Sequence, residues 1–400
     1  MPKMGKSEGT EVKTDVAIIG GGPAGLLLSQ LLMQAGISTV ILERQSRDHV
    51  LSRIRAGVLE WGTVELLNRA GVGERLAREG ILHSGCALSS DDDLIHVDFQ
   101  ETCGKRVLVY GQTEVTRDLY QAQDSAGATI LHGVEEVALH DLLSETPVVT
   151  FRHKDETKRI QCRFIAGCDG FHGVSRSSIP VEKRRAFEKI YPFGWLGVLS
   201  RTPPVHQELI YANHERGFAL ASMRNPLLSR YYVQVPLTDR VENWSDEAFW
   251  QELKRRLPAD VSASLVTGPS IEKSIAPLRS FVSEPMQYGA LFLCGDATHI
   301  VPPTGAKGLN LAASDVHYLS QALIARYRTN SEDLLAKYGQ TALARVWQAM
   351  RFSWSMTLMT HRFPDQTGYD RRMQQVELSQ LRQNSTTRRL FSENYTGLPF

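Results

Sequence analysis

Apolar positions fall into three textures along the chain, and each predicts a different element. Asp15–Gly20 (DVAIIG) is a short unbroken apolar run rich in β-branched residues, as a strand buried in a parallel sheet would be. From Pro23 to Gly36 the spacing turns helical, with Leu26, Leu27, Leu31 and Leu32 on one face and Gly36 closing the helix. Ser38–Glu43 (STVILE) is a second strand, completing a βαβ unit at the start of the fold. Helices are predicted at about Ala56–Ala70 and at Thr113–Ala126, with Thr113 as cap, and a strand over Arg159–Cys168. Between Tyr191 and Pro236 the segments GWLGVLS, QELIYANH, GFALASMR and RYYVQVPL alternate between turns, which predicts an antiparallel sheet. Leu291–Gly295 (LFLCG) is again a buried strand, followed by a Gly-rich loop and a helix from about Gly308 to Tyr327. Glu332 to about Thr387 reads as mainly helical.

Gly20, Gly22 and Gly25, with Pro23 and Ala24 between them, form G-x-G-x-x-G between strand and helix, and Glu43 ends the second strand. The first glycine allows a tight turn and the second a close approach to pyrophosphate. The third lets helix pack on strand, and the acidic residue accepts ribose hydroxyls. Glu43 favours an adenosine ribose without phosphate, which suits FAD or NAD at this position. Ser222 and Arg224 are two apart in a strand, so they share a face, and Tyr232 on the next strand comes alongside. An arginine flanked by hydroxyls is a receptor for a planar carboxylate.

Composition narrows the rest. Lys plus Arg number 45 and Asp plus Glu 44, a net charge of +1 that gives no general case for nucleic acid or an anionic membrane. Cys86, Cys103, Cys162, Cys168 and Cys294 are odd in number and never spaced C-x-x-C. Neither a disulfide framework nor a zinc site is expected, and a reducing cytoplasm is. Met1–Asp15 is polar and lysine-bearing, read as neither signal peptide nor anchor. Val16–Leu42 is interrupted by glycine, proline and glutamine, so no membrane span is expected.

From about Lys13 to Pro399 the chain resembles the class A FAD-dependent aromatic hydroxylases, above all the members that act on 4-hydroxybenzoate. The strings that carry this are RIRAGVLE, YGQTEVTRDL, IAGCDGFHGVSR, YPFGWLG, KSIAPLRSF and PPTGAKGLNLAASDV. The resemblance implies an α/β fold (α+β overall). A Rossmann-like FAD-binding domain would span 13–185 and 279–327, with an antiparallel-sheet substrate domain inserted at 186–278 and a helical region at 328–400. It implies non-covalent FAD held by Gly20, Gly22, Pro23, Ala24, Gly25, Glu43, Arg53, Arg55, Gln112, Asp169, Arg230, Asp296, Gly305, Leu309 and Asn310, with Arg230 influencing flavin movement.

Ser222, Arg224 and Tyr232 would bind the substrate carboxylate, Tyr211 the phenolate, and Pro303 would bring its carbonyl near the reacting oxygen. Tyr395 and His83 would carry the phenol proton outward. The implied reaction is C3 hydroxylation of 4-hydroxybenzoate to 3,4-dihydroxybenzoate with NAD(P)H and O2, through a flavin C4a-hydroperoxide. The same chemistry on 3,4-dihydroxybenzoate or 4-aminobenzoate is the alternative. Arg44, Gln45, His172 and Arg279 would meet a transient NADPH or NADH. Arg47 and His49 replace the proline and tyrosine of NADPH-selective members, which opens the site to NADH. A homodimer is implied, and the Trp347, Phe352, Trp354, Met356 and Met359 cluster is either its face or internal core.

Overall fold

The structure, a computed structural model, describes residues 11–52 and 57–400. Its first unit is the expected βαβ: strand Val16–Ile19, helix Pro23–Gln34 and strand Thr39–Glu43. Every residue of both strands is buried, hence the unbroken apolar runs. They pair in parallel, Val16 opposite Thr39 through Ile19 opposite Leu42. Thr129–His132 extends the sheet beyond Thr39–Glu43. On the other side come Phe164–Gly167, Leu291–Leu293 and an antiparallel edge, Gln287–Tyr288.

The glycines do what the motif requires. Gly20 turns at φ +106°, and a Cβ on Gly25 would lie 2.0 Å from the Gly20 carbonyl oxygen. Gly25→Ala must therefore push helix from strand. It is expected to cost at least about 1–3 kcal/mol, seen as a lower thermal midpoint; an unchanged midpoint would mean that this contact relaxes freely.

Three expectations are corrected. The helix expected from Ala56, which lies outside the described residues, is Trp61–Arg69, because Val58–Leu59 pairs as a short strand with Val107–Val109. The next helix is Gln112–Ser125 with Gly111 at its cap position, so Thr113 sits inside the first turn and is not the cap residue. Arg159–Cys168 is two strands in two sheets. Glu156–Gln161 pairs antiparallel with Val148–His153, whereas Phe164–Gly167 joins the parallel sheet. The break falls where the amides of Arg163 and Phe164 both donate to the Asp15 carbonyl.

A second sheet of eight strands runs in the order His299–Ile300, Ser270–Glu284, Arg185–Ser200, Leu228–Pro236, Ala219–Asn225, Ile210–Asn213, Gly85–Ser90 and Asp93–Asp98. It reaches beyond 186–278 by taking two strands from the first segment and one from the loop after Leu291–Leu293. One face is sealed by helix Asp246–Arg256, with Phe249, Trp250 and Leu253 against Ile210, Ala221, Tyr231 and Val233. The other face carries Tyr211 and Leu220 towards Phe352, Met356 and Tyr395 of the C-terminal helices. Those are Asp333–Thr360, Gly368–Gln383 and Ser385–Thr396, after Gly308–Thr329. The aromatic cluster thus divides: Phe352, Met356 and Met359 are core, while Trp347 and Trp354 stay 38% and 42% exposed. No helix among the described residues is long and apolar enough to cross a membrane.

Candidate active site

A cleft of about 520 Å³ opens along the C-terminal ends of the parallel strands, where ligands of such sheets bind. Gly20, Gly22, Pro23, Ala24, Glu43, Gln112, Asp169, Asp296 and Leu309 line it together. A Cβ on Gly22 would meet nothing within 4 Å, so the backbone there is bare to the cleft. The Glu43 carboxylate is fixed by two amides: Gly21 donates to Oε2 at 2.7 Å and Gln45 to Oε1 at 2.8 Å. Each oxygen keeps a lone pair for a ribose hydroxyl. Asp169 accepts from the Ser175 amide and hydroxyl through Oδ2, while its buried Oδ1 has no partner among the described residues. Burial pushes its carboxyl above the usual range.

Helix Pro23–Gln34 begins on one side of the cleft and Gly308–Thr329 on another. Their first-turn amides lack intrahelical acceptors and carry the positive end of each helix dipole. Gly305 turns the chain into the second helix at φ +84°. Bare glycine backbone, two helix starts, an orphaned carboxylate oxygen and a positioned Glu43 together fit a dinucleotide such as FAD.

Other residues take different places. Gly25 positions the helix rather than lining the cleft. Asn310 is buried and its side chain is fully engaged. It accepts from the Glu60 amide and the Thr63 hydroxyl and donates to the carbonyls of Val58 and Ala306. Leu309 faces the cleft and Asn310, one position on, is turned about 100° away. Pro303 lies exposed, and its carbonyl accepts from Ala306 at 3.0 Å, closing a turn. Arg53 and Arg55 lie outside the described residues.

Beneath the Asp296 turn, Asp315 Oδ2 accepts from the Gly295 amide at 2.8 Å and pairs with His299 Nε2 at 2.7 Å, all of it buried. Burial alone would lower the imidazole pKa, but the adjacent Asp315 carboxylate outweighs it and the pKa is raised. A raised histidine pKa adds stability that is fully present below the unfolded value, about 6.5, and is lost as pH rises through the folded value. Asp315→Asn should therefore depress the thermal midpoint most at pH 5.5–6 and least at pH 8.5 (roughly the span of the titration). A pH-independent loss would remove the charge from this account.

The second sheet supplies the other half of the site. Ser222 lies opposite Arg230, Leu220 opposite Tyr232, and Tyr211 opposite Leu220, so these side chains and Arg224 share one face. Gly197 lies opposite Tyr232, and a Cβ there would sit 2.7 Å from that ring. Arg224 Nη1 donates to the Met223 carbonyl, while its Nε is buried without a partner among the described residues. Burial lowers its pKa while Tyr232 beside it works the other way, and it makes no ion pair among the described residues. Arg230 is paired already, donating to Glu272 at 2.8 Å, and its guanidinium lies 5.2 Å over the Tyr232 ring. The Ser222 hydroxyl donates to the Arg230 carbonyl at 2.7 Å and must rotate to donate elsewhere.

Tyr211 and Tyr395, far apart in sequence, meet hydroxyl to hydroxyl at 2.8 Å. Burial pushes both phenols above their ordinary range. His83 is buried, neither of its ring nitrogens has a partner among the described residues, and it bonds to neither tyrosine; burial lowers its pKa. Sequence reading missed what holds Tyr395. Lys307 donates to the Tyr395 carbonyl at 2.8 Å and to Glu60 at 2.7 Å, and Arg345 donates to Glu60 at 2.9 Å. Lys307 carried a signal, since a lysine inside a glycine-rich apolar string needs a buried acidic partner. Glu60 and Arg345 carried none.

Arg44, Gln45, Asp169 and His172 line a second cleft of about 420 Å³, which shares Gly20, Glu43, Arg44, Gln45 and Asp169 with the first and has His172 to itself. Arg279 is outside it, 4.8 Å over the Phe171 ring, whose edge meets His172. Arg47 is paired with Asp124 at 2.7 Å and stacked on Tyr120, and His49 lines the first cleft.

The model of the FAD binding domain family matches residues 13–353. The chain is 56% identical over 390 residues to p-hydroxybenzoate hydroxylase of Acinetobacter baylyi, covering 97% of this chain and 96% of that one. Among solved structures, p-nitrophenol 4-monooxygenase of Pseudomonas putida superposes with a TM-score of 0.81 at 18% identity, covering 98% of this chain and all of that one. An anhydrotetracycline hydroxylase of Streptomyces rimosus gives 0.75 at 22% identity, over 97% and 77%. These two share the fold. By the family match over residues 13–353 and the 56% identity over nearly the whole length of both chains, the chain belongs to the FAD-dependent aromatic hydroxylase family, in the group of p-hydroxybenzoate hydroxylase.

Proposed function

We propose that the enzyme hydroxylates 4-hydroxybenzoate at C3, giving 3,4-dihydroxybenzoate and water from O2 and NAD(P)H. The observation that carries this reading is Arg224, a half-buried arginine whose inaccessible Nε lacks a partner among the described residues, on the same sheet face as Tyr211, which meets Tyr395. A cation and a phenol chain on one face suit a ring bearing a carboxylate at one end and a hydroxyl at the other. The relative from Acinetobacter baylyi bears the matching name.

Bound FAD would supply electron transfer from the nicotinamide and activation of O2. Gly22 and the two helix starts would hold its phosphates, Glu43 its ribose, and Asp296 and the Gly308 end of the long helix its flavin half. Arg224 forks onto the substrate carboxylate, aided by Tyr232 and a rotated Ser222. Tyr211 takes up the phenol proton through its bond to Tyr395, and His83 receives it further out. A phenol of pKa near 10 needs this path to become an electron-rich nucleophile at neutral pH.

The nicotinamide is proposed to dock along Arg44, Gln45 and His172, with Arg279 across Phe171. Arg47 is committed to Asp124, which supports use of NADH as well as NADPH. Uptake of O2 across a panel of benzoates, with product analysis, tests the reading. Coupled formation of 3,4-dihydroxybenzoate from 4-hydroxybenzoate alone supports it, and tight coupling on another benzoate replaces it.

We also propose a cytoplasmic homodimer. Five free cysteines suit a reducing compartment. Phe187, Ile190, Trp347, Trp354, Met373 and Val376 leave an exposed apolar face. A single sedimenting species of 44.7 kDa, the mass of one chain, would overturn the dimer.

A further inference from the structure

We propose that Glu208 and His96 form the outer end of the phenol proton path, carrying the proton from His83 to solvent. This rests on the proposed relay through Tyr211, Tyr395 and His83. His83 is 1% exposed and both its nitrogens are buried without partners among the described residues, so it cannot deliver a proton to bulk water itself.

Strand register places a carboxylate–imidazole pair beside it. Ala87 lies opposite Ile210 on one side and His96 on the other, which brings Glu208 and His96 to Gly85, two residues beyond His83. A Cβ on Gly85 would lie 2.9 Å from His96 Nε2 and 3.0 Å from Glu208 Oε2, so the glycine makes room for the pair. The two atoms are 2.8 Å apart. Side-chain exposure is 13% at Glu208 and 50% at His96, a wetting gradient from the buried His83 outward. His96 opens onto a hollow of about 220 Å³ that Asp98, Glu101, Arg382 and Arg388 also line.

The charges around the pair have the right signs. Burial lowers the proton affinity of His83, the Glu208 carboxylate raises it, and His206 opposes. The same carboxylate acts on Cys86 and Tyr395 from two further elements, disfavouring their ionised forms. No hydrogen bond joins His83 to Glu208 among the described residues, so a proton leaving His83 crosses to the carboxylate through a water; Glu208 passes it to one nitrogen of His96, whose other nitrogen releases one to solvent. No group is oxidised or consumed.

The test uses the FAD-loaded enzyme and 4-hydroxybenzoate, mixed in stopped flow at low buffer strength. The phenolate absorbance and a pH indicator are followed together. His96→Gln should leave the final ionised fraction unchanged and slow proton release about tenfold or more, with the rate restored by imidazole buffer. Glu208→Gln should slow release equally and also shift ionisation of the bound substrate to lower pH, because a negative charge near Tyr395 is gone. A merely structural pair would move neither the buffer dependence nor the pH profile. Wild-type release rates in both variants, with ionisation lost in Tyr395→Phe, would overturn the inference and leave the relay standing. Normal ionisation in Tyr395→Phe would overturn the relay, and the inference with it.

Discussion

Tyr211→Phe should bind 4-hydroxybenzoate and still oxidise NAD(P)H, yet release hydrogen peroxide in place of most of the dihydroxybenzoate. The carboxylate receptor is untouched by the change, so binding and reduction persist. What disappears is the hydroxyl that bonds Tyr395 at 2.8 Å and would face the substrate oxygen. A hydrogen bond to a charged group is worth about 1.5–3 kcal/mol, which lowers the phenolate population roughly 10–150-fold. The neutral phenol is a far weaker nucleophile, so oxygen consumption ends in peroxide. Product per NAD(P)H, with peroxide measured by catalase addition, decides it. Normal coupling would reduce Tyr211 to a core tyrosine. Tyr395→Phe should in addition lower the ionised fraction of bound substrate at a given pH.

Arg224→Lys carries the second large effect. The charge survives, but the planar fork and the donor at Nε do not, and an ammonium in this buried position is more easily neutralised. Loss of about 1.5–3 kcal/mol would raise the dissociation constant roughly 10–150-fold. A titration of the flavin spectrum reads it directly. The uncharged analogue 4-hydroxybenzamide serves as control, since its binding should fall much less. Equal losses for acid and amide would remove the carboxylate from Arg224.

What the sequence made legible follows the range of the forces involved. The βαβ unit could be read because strand burial, helix periodicity and the Gly20–Gly25 turn all act within about thirty residues. The Ser222–Arg224–Tyr232 face could be read because strand alternation is local. The Tyr211–Tyr395 contact came through resemblance, since no local pattern joins residues 184 positions apart. Glu60 and Arg345 stayed invisible for the same reason, and Lys307 showed only that it needed some acidic partner. For Asn310 the glycine-rich string gave the place in the chain but not the direction of the side chain, which its angle on the helix turns inward. The Arg159–Cys168 run misled because hydrophobicity does not record which sheet a strand joins.

The hairpin of Ala219–Asn225 and Leu228–Pro236 puts two neighbouring tyrosines to opposite uses. Tyr231 packs under helix Asp246–Arg256, and Tyr232 lies beneath the Arg230 guanidinium on the opposite face. Slipping the register by one residue would exchange them, burying Tyr232 with the helix and presenting Tyr231 to the ligand. Variation here is thus constrained by kind as well as by amount. Under the proposed function, single replacements on the even-numbered face retune which ring is accepted while the helix-sealed face keeps the scaffold intact. An insertion or deletion near the turn would invert the whole surface in one step, so diversification of this recognition surface must proceed by exchange of side chains and never by change of length.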